Sequence, residues 1–239
     1  HGLTGGSHEA YVHWMCFAAA RAGMRVVVMN ARGCGGTQLH TPKTFSAAQT
    51  DDLRATVRHV RARVGDAAST DIFTVGFSLG AGIMAKYLGE EGYRSGVAGA
   101  VSLCGSYDMH KTSERMETPL HRVVYNATLA GNLKRWVGGQ AHIFDGLPWI
   151  DMAKVKSAKT VRDFDRETIV KMFGYTTVEE YYEDASAGRV VADVRTPLLI
   201  LNAADDPIAS AEGLREVQDE CKHNPEVVVG LTEEGGHVA

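Results

Sequence analysis

DIFTVGFSLGAGIMAKYLGEE, residues Asp71–Glu91, carries a strand, a turn and a helix in one run. Asp71–Phe77 is apolar and β-branched, Leu79–Glu91 has helical composition, and the junction reads Gly76-x-Ser78-x-Gly80. A strand feeding a helix through that pattern is a nucleophile elbow. A sharp turn presents the serine with strained backbone geometry, and only small flanking residues let strand and helix approach so closely. The helix aims its N-terminal N–H groups, the positive end of its dipole, at the place where an oxyanion would form. GxSxG alone arises by chance in many chains. The strand–turn–helix context and the small residues Ala81 and Gly82 separate this one from a serine merely capping a helix.

On either side of the elbow the same alternation continues. Met24–Asn30, Val97–Gly105, Thr196–Ala204 and Glu226–Leu231 read as strands, apolar enough to be covered on both faces. His8–Ala22, Ala47–Val64 and Ala209–Lys222 have helical spacing. Strands alternating with helices predict an α/β fold with a mostly parallel sheet. Between residues 106 and 193 the rhythm changes to amphipathic, aromatic-bearing segments with no convincing strand, which reads as a helical insertion in the core formed by 1–105 and 194–239, expected as a cap over the site with a peripheral bundle as the alternative.

A serine hydroxyl is a weak nucleophile until a base takes its proton and an acid orients that base. After such an elbow the acid and then the histidine follow in chain order. Three carboxylates stand after apolar strands: Asp205 and Asp206 in LLILNAADDPIAS, and Asp108 in GSYDMH. The base is expected at His237 in EEGGHVA, where the Gly-Gly step lets the imidazole swing towards Ser78. Acyl transfer also needs two backbone N–H donors for the oxyanion. One is expected from Leu79, directly after the nucleophile, and the other from Leu3 in the opening loop HGLTGGS.

Other chemistries find less support. HGLTGGSHE lacks the Gly-Lys-Ser/Thr ending and the GxGxxG spacing of a phosphate-binding loop. A zinc reading of His1, His8 and His13 fails because His8 and His13 share no helix face and no HExxH occurs. No metal and no cofactor is expected. Cys16, Cys34, Cys104 and Cys221 form no CxxC pair and read as reduced thiols. A net charge of -4 without any Lys/Arg cluster argues against a nucleic-acid partner. No apolar run reaches the roughly 18 residues that span a bilayer.

HGLTGGS, NARGCGG, QTDDL, GFSLGAG, LNAADDPI and GGH together make the chain resemble the YheT-like branch of the α/β-hydrolases. That branch includes bacterial esterase-like proteins, plant embryogenesis-associated proteins and the animal abhydrolase-domain proteins one to three. FDRETIVKMFGYTTVEEYYEDAS, Phe164–Ser186, carries the likeness into the insertion. The resemblance implies an α/β-hydrolase fold with helices on both faces of the sheet. It also implies a carboxylic ester hydrolase acting on lipid-like or short- to medium-chain acyl esters, with Ser78 as nucleophile, Asp206 as acid and His237 as base. Some fungal relatives pass the acyl group to an alcohol, so acyltransfer with the same triad is the competing activity. A binding module without turnover would carry an eroded triad, and none of the three is eroded here. Relatives have strands before the HG loop and a helix after the last histidine. The chain is expected to lack these, and any membrane contact would run through such segments.

Weaker features carry bland readings beside functional ones. Asn126-Ala127-Thr128 matches a glycosylation acceptor, with coincidence the plainer explanation. Phe144, Trp149, Phe173, Tyr175, Tyr181 and Tyr182 would either line an acyl pocket or simply pack helices. Arg32 and the Gly33–Gly36 run would either shape the mouth of the site or form a plain turn.

Overall fold

In the computed structural model, residues 1–64 and 70–238 are described; residues 65–69 and 239, which the expected core segments include, lie outside them. The order is α1 (Ala10–Arg21), α2 (Asp51–Arg63), β1 (Phe73–Phe77), α3 (Leu79–Glu91) and β2 (Gly99–Leu103), then the insertion, then β3 (Leu198–Ala203), α12 (Ala211–Cys221) and β4 (Val227–Thr232). The insertion comprises α4 (Met109–Glu117), α5 (Pro119–His121), a π-helical turn Arg122–Asn126, α6 (Ala127–Gly138), α7 (Met152–Ser157), α8 (Val161–Glu167), α9 (Ile169–Phe173), α10 (Val178–Ala185) and α11 (Gly188–Val191).

The strands form a four-stranded parallel sheet in the order β1-β2-β3-β4, with Val75 opposite Val101, Val101 opposite Leu199 and Leu199 opposite Val228. Side chains alternate between the faces of a strand, so this register puts Val75, Leu199 and Val228 on one face and Leu198 and Ile200 on the other. Leu198 and Ile200 are buried with Leu88, Val191, Val194 and Leu214, from α3, α11, the segment after it and α12. On the opposite face α1 reaches the end of β1, where the Tyr11 and Phe77 rings pack 4.8 Å apart. Helices therefore cover both faces, but unequally: Phe73, Val75, Leu199, Leu201 and Val228 remain exposed.

Met24–Asn30 is a correction. It forms no strand, although its valines favour one. β-propensity is expressed only where a neighbouring strand supplies hydrogen bonds and packing, and among the described residues nothing pairs with this segment. Val27 is 59% exposed. The segment is held at its ends instead: Met24 N–H donates to the Ala19 carbonyl, the Asn30 side chain accepts from Ser7 N–H, and Ala31 N–H donates to His1 Nε2.

The insertion has apolar clusters of its own, one around Tyr181 and Tyr182 and one around Leu133, Val137, Phe144 and Phe164. It is fastened to the sheet-bearing part at several points. Lys86 on α3, buried, reaches Glu90 at 2.6 Å and Asp184 of α10 at 3.0 Å. Trp136 Nε1 donates to the Gly33 carbonyl at 2.6 Å, and Gln140 bonds both Gly33 and Leu39. Ile200 is 0% exposed in the middle of the sheet. Ile200→Ala should therefore lower unfolding stability by about 2–5 kcal/mol, read as a reduced midpoint in urea with an unchanged slope.

Candidate active site

The turn between β1 and α3 has the geometry its glycines require. Ser78 sits at φ 52 and ψ -119, and its N–H donates to the Leu103 carbonyl of β2 at 2.9 Å. A β-carbon on Gly76 would lie 2.7 Å from Ala81 Cα, and one on Gly80 would lie 2.6 Å from the His1 carbonyl oxygen. Both positions are thus closed to any larger residue. The opening loop lies against Ser78, since a β-carbon on Gly2 would be 3.4 Å from that of Ser78. Tyr11 fixes this loop by accepting Gly2 N–H on its hydroxyl at 2.9 Å.

His237 stands between Ser78 and Asp206. Its Nε2 is 2.9 Å from Ser78 Oγ, and its Nδ1 is 2.7 Å from Asp206 Oδ2. A carboxylate only accepts hydrogen bonds, so Nδ1 carries the hydrogen and Nε2 is left to accept from the serine hydroxyl. Asp206 is buried, and its other oxygen accepts the N–H groups of Ile208 at 2.7 Å and Ala209 at 2.9 Å. The remaining candidate acids are elsewhere engaged. Asp205 accepts Gly236 N–H at 2.8 Å and so ties the histidine loop to the acid turn, whereas Asp108 caps α4 by accepting Lys111 N–H. Leu3 and Leu79 both line the cavity beside Ser78, and their N–H groups donate to nothing among the described residues.

Among the described residues, the metal-ligating atoms close enough to share an ion belong to Cys104, Asp206 and His237, within 4.8 Å of one another. Both imidazole nitrogens already serve Asp206 and Ser78, so an ion there would have to break that chain. Cys104, at φ 54, accepts Val238 N–H on its sulfur, and burial pushes its thiol pKa up. His1, His8 and His13 form no such group, and the four cysteines are free.

Ser78 opens on a cavity of about 380 Å³, within the range of small-molecule sites. Its walls come from the opening loop, the elbow, residues 44–47 and the insertion. Of the aromatic candidates, Tyr181 and Tyr182 line it. Phe144, Trp149, Phe173 and Tyr175 pack the insertion's own clusters. Arg32 pairs with Asp52, and the Gly33–Gly36 run stays out of the cavity wall, which settles it as an anchoring turn. Asn126 is buried, with its amide donating to the Met116 carbonyl and accepting from Val161 N–H, so it cannot serve as a glycosylation acceptor in the folded chain.

Sequence reasoning did not single out Tyr11 or Asp165. Asp165 lines the cavity at 6% exposure and accepts the Tyr182 hydroxyl at 3.0 Å. Burial raises its carboxyl pKa to about 7, against the opposing pull of the Tyr182 bond and Arg162. The signal lay in the FD…YY pattern of the insertion, whose members meet in this wall.

The chain matches, over residues 1–239, the family described as alpha/beta hydrolase fold. It is 36% identical over 239 residues to the embryogenesis-associated protein EMB8 of Picea glauca, covering 99% of the chain and 51% of that protein. It is also 36% identical over 237 residues to phospholipase ABHD3 of Mus musculus, covering 99% of the chain and 56% of that protein. The chain thus spans about half the length of these curated relatives. The solved structure of the Pyrococcus furiosus esterase Pf2001 superposes with a TM-score of 0.62 at 18% identity, covering 100% of the chain and 72% of that structure, a likeness of fold.

The raised carboxyl of Asp165 has a thermodynamic consequence. The folded state holds this proton more tightly than the unfolded chain, so the group's contribution is fully present below pH 4 and is lost as pH rises through about 7. Asp165→Asn, which keeps an acceptor for Tyr182, should gain stability relative to wild type between pH 4.5 and pH 8. The gain should be a few kcal/mol, at about 1.4 kcal/mol per pKa unit, measured by urea unfolding at both pH values.

Proposed function

The chain belongs to the alpha/beta hydrolase family, in the branch of the embryogenesis-associated and abhydrolase-domain proteins, and we propose that it carries the catalytic machinery of a carboxylic ester hydrolase acting through an acyl-enzyme on lipid-like acyl esters. The observation that carries this reading is the continuous Ser78–His237–Asp206 hydrogen-bond chain at the mouth of the cavity. The phospholipase name of its relative ABHD3 supports the substrate class. The core, residues 1–105 and 194–239, supplies the reacting groups, and residues 106–193 form the cap.

In this mechanism Ser78 Oγ attacks the ester carbonyl carbon while His237 Nε2 takes its proton. Asp206, held by two backbone N–H groups, keeps the imidazole in the tautomer that can do so and stabilises the imidazolium that results. The carbonyl oxygen becomes an oxyanion and is met by the N–H groups of Leu79 and Leu3. Collapse breaks the bond to the alcohol, which leaves with the proton from His237. Water, deprotonated by the same histidine, then attacks the acyl-enzyme, and the acid departs with Ser78 restored.

A fluorophosphonate probe should label the complete protein at Ser78, and Ser78→Ala should abolish labelling. An unlabelled wild type, or equal labelling of the variant, would falsify the mechanism. Asp206→Asn should lower kcat by about 10³–10⁴-fold, because it favours the wrong imidazole tautomer. Gly80→Ala should push the His1 carbonyl and with it the loop bearing Leu3. Its kcat should fall by about 10²-fold, the scale of one oxyanion donor, with KM nearly unchanged in steady-state assays.

A further inference from the structure

The triad leaves the insertion's Phe164–Ser186 stretch unused, yet that stretch builds a wall of the same cavity. Tyr182 donates its hydroxyl hydrogen to Asp165 at 3.0 Å, the Tyr181 hydroxyl accepts Ala47 N–H at 3.1 Å, and Ser186 accepts Met109 N–H at 2.9 Å. These bonds tie the wall to Ala47 and to α4 at Met109. Only one Asp165 oxygen is used by Tyr182. The other meets no donor among the described residues, and the residue lines the cavity while nine-tenths buried. Thr112 stands in the same lining with a hydroxyl that has no partner among the described residues.

A buried carboxyl with an open acceptor position is costly unless something completes it. The missing partner is a hydrogen-bond donor, and its charge can be read from the surroundings. Arg162 lines the cavity too, its guanidinium 5.7 Å from the Tyr182 ring centroid and paired with Glu179, and the positive charge that this pair leaves unscreened disfavours a cation beside Asp165. Asp165 itself disfavours a phosphate. A neutral hydroxyl satisfies both. The carboxyl's poise near neutrality suits it to accept such a hydroxyl's hydrogen or donate its own.

We propose that Asp165, positioned by Tyr182, is a specificity-determining residue that hydrogen-bonds a free hydroxyl on the alcohol part of the ester, as in a partial glyceride. This rests on the reading of Ser78 as the nucleophile of an ester hydrolase. It adds a division of labour: the sheet-bearing core holds the reacting groups, and the insertion reads the alcohol.

The test uses the complete protein and three octanoyl esters sharing one acyl chain: 1-octanoylglycerol, ethyl octanoate and octanoylcholine. Asp165→Leu, which removes both donor and acceptor at similar volume, should lower the ratio of kcat/KM for the glyceryl over the ethyl ester by about tenfold, the scale of a lost hydrogen bond. The loss should appear mainly in KM, with fluorophosphonate labelling of Ser78 retained. Tyr182→Phe should move the ratio in the same direction by less. An equal fall on glyceryl and ethyl esters, or no change on either, overturns the proposal. A loss confined to octanoylcholine overturns it in favour of a cationic group. Binding to Ser78→Ala separates this from failure of the hydrolase reading. There, 1-O-octylglycerol, followed by tryptophan fluorescence, should bind more tightly than octanol, and adding Asp165→Leu should erase the difference. If the difference survives, Asp165 is not the recognition group, whether or not the wild type hydrolyses esters.

Discussion

Two missing β-carbons hold the site together. At Gly76 the backbone of α3 comes so close that no side chain fits, and at Gly80 the His1 carbonyl does the same from the other side. The sheet, the helix and the opening loop therefore converge on a single point. Ser78 occupies it in a backbone conformation that an L-residue adopts only under constraint. That strain persists because the surroundings over-determine it. Ser78 N–H is bound to β2 behind, and α3 is packed under the sheet with Leu88, Leu198 and Ile200.

The same logic extends to the other side of the site. The histidine loop cannot wander, because Asp205 holds Gly236 and Cys104 receives Val238 N–H, while Asp206 is itself held by Ile208 and Ala209. The turns carrying Ser78, Asp206 and His237 thus each have a second layer of bonds that engage their backbone, which is how hydrogen-bonding distances of 2.7 and 2.9 Å arise across residues far apart in the chain. The insertion is organised differently. It buries the Asp165 carboxyl, whose pKa burial raises, and natural chains keep such locally unfavourable groups chiefly where function needs them.

Much of this could be read from local pattern. The elbow was legible because its chemistry is sterically local: strand, small residues and helix are contiguous in sequence. The order of Ser78, an acid and His237 was legible for a related reason, since the candidates follow strands of one parallel sheet and so emerge at the same edge, and among the acids only the family resemblance favoured Asp206. What misled was Met24–Asn30. Its valines look like any buried strand, but a strand exists only by pairing, and pairing is not a property of the segment. The aromatics of the insertion were equally opaque, because Tyr181 and Tyr182 face the cavity and Phe144 packs a cluster for reasons of helix orientation that composition does not carry.

By itself, then, the chain's sequence determined the fold class, the turn that presents Ser78 and the candidates for its partners, because those depend on backbone sterics and strand order. Only the tertiary structure decided among Asp205, Asp206 and Asp108 as the neighbour of His237, and turned Asn126 from an apparent surface acceptor into a buried strut. It alone brought Asp165 beside Tyr182 at the wall of the cavity. Those outcomes depend on distances between segments tens of residues apart, which are set by how the insertion's helices pack on one another and on the sheet.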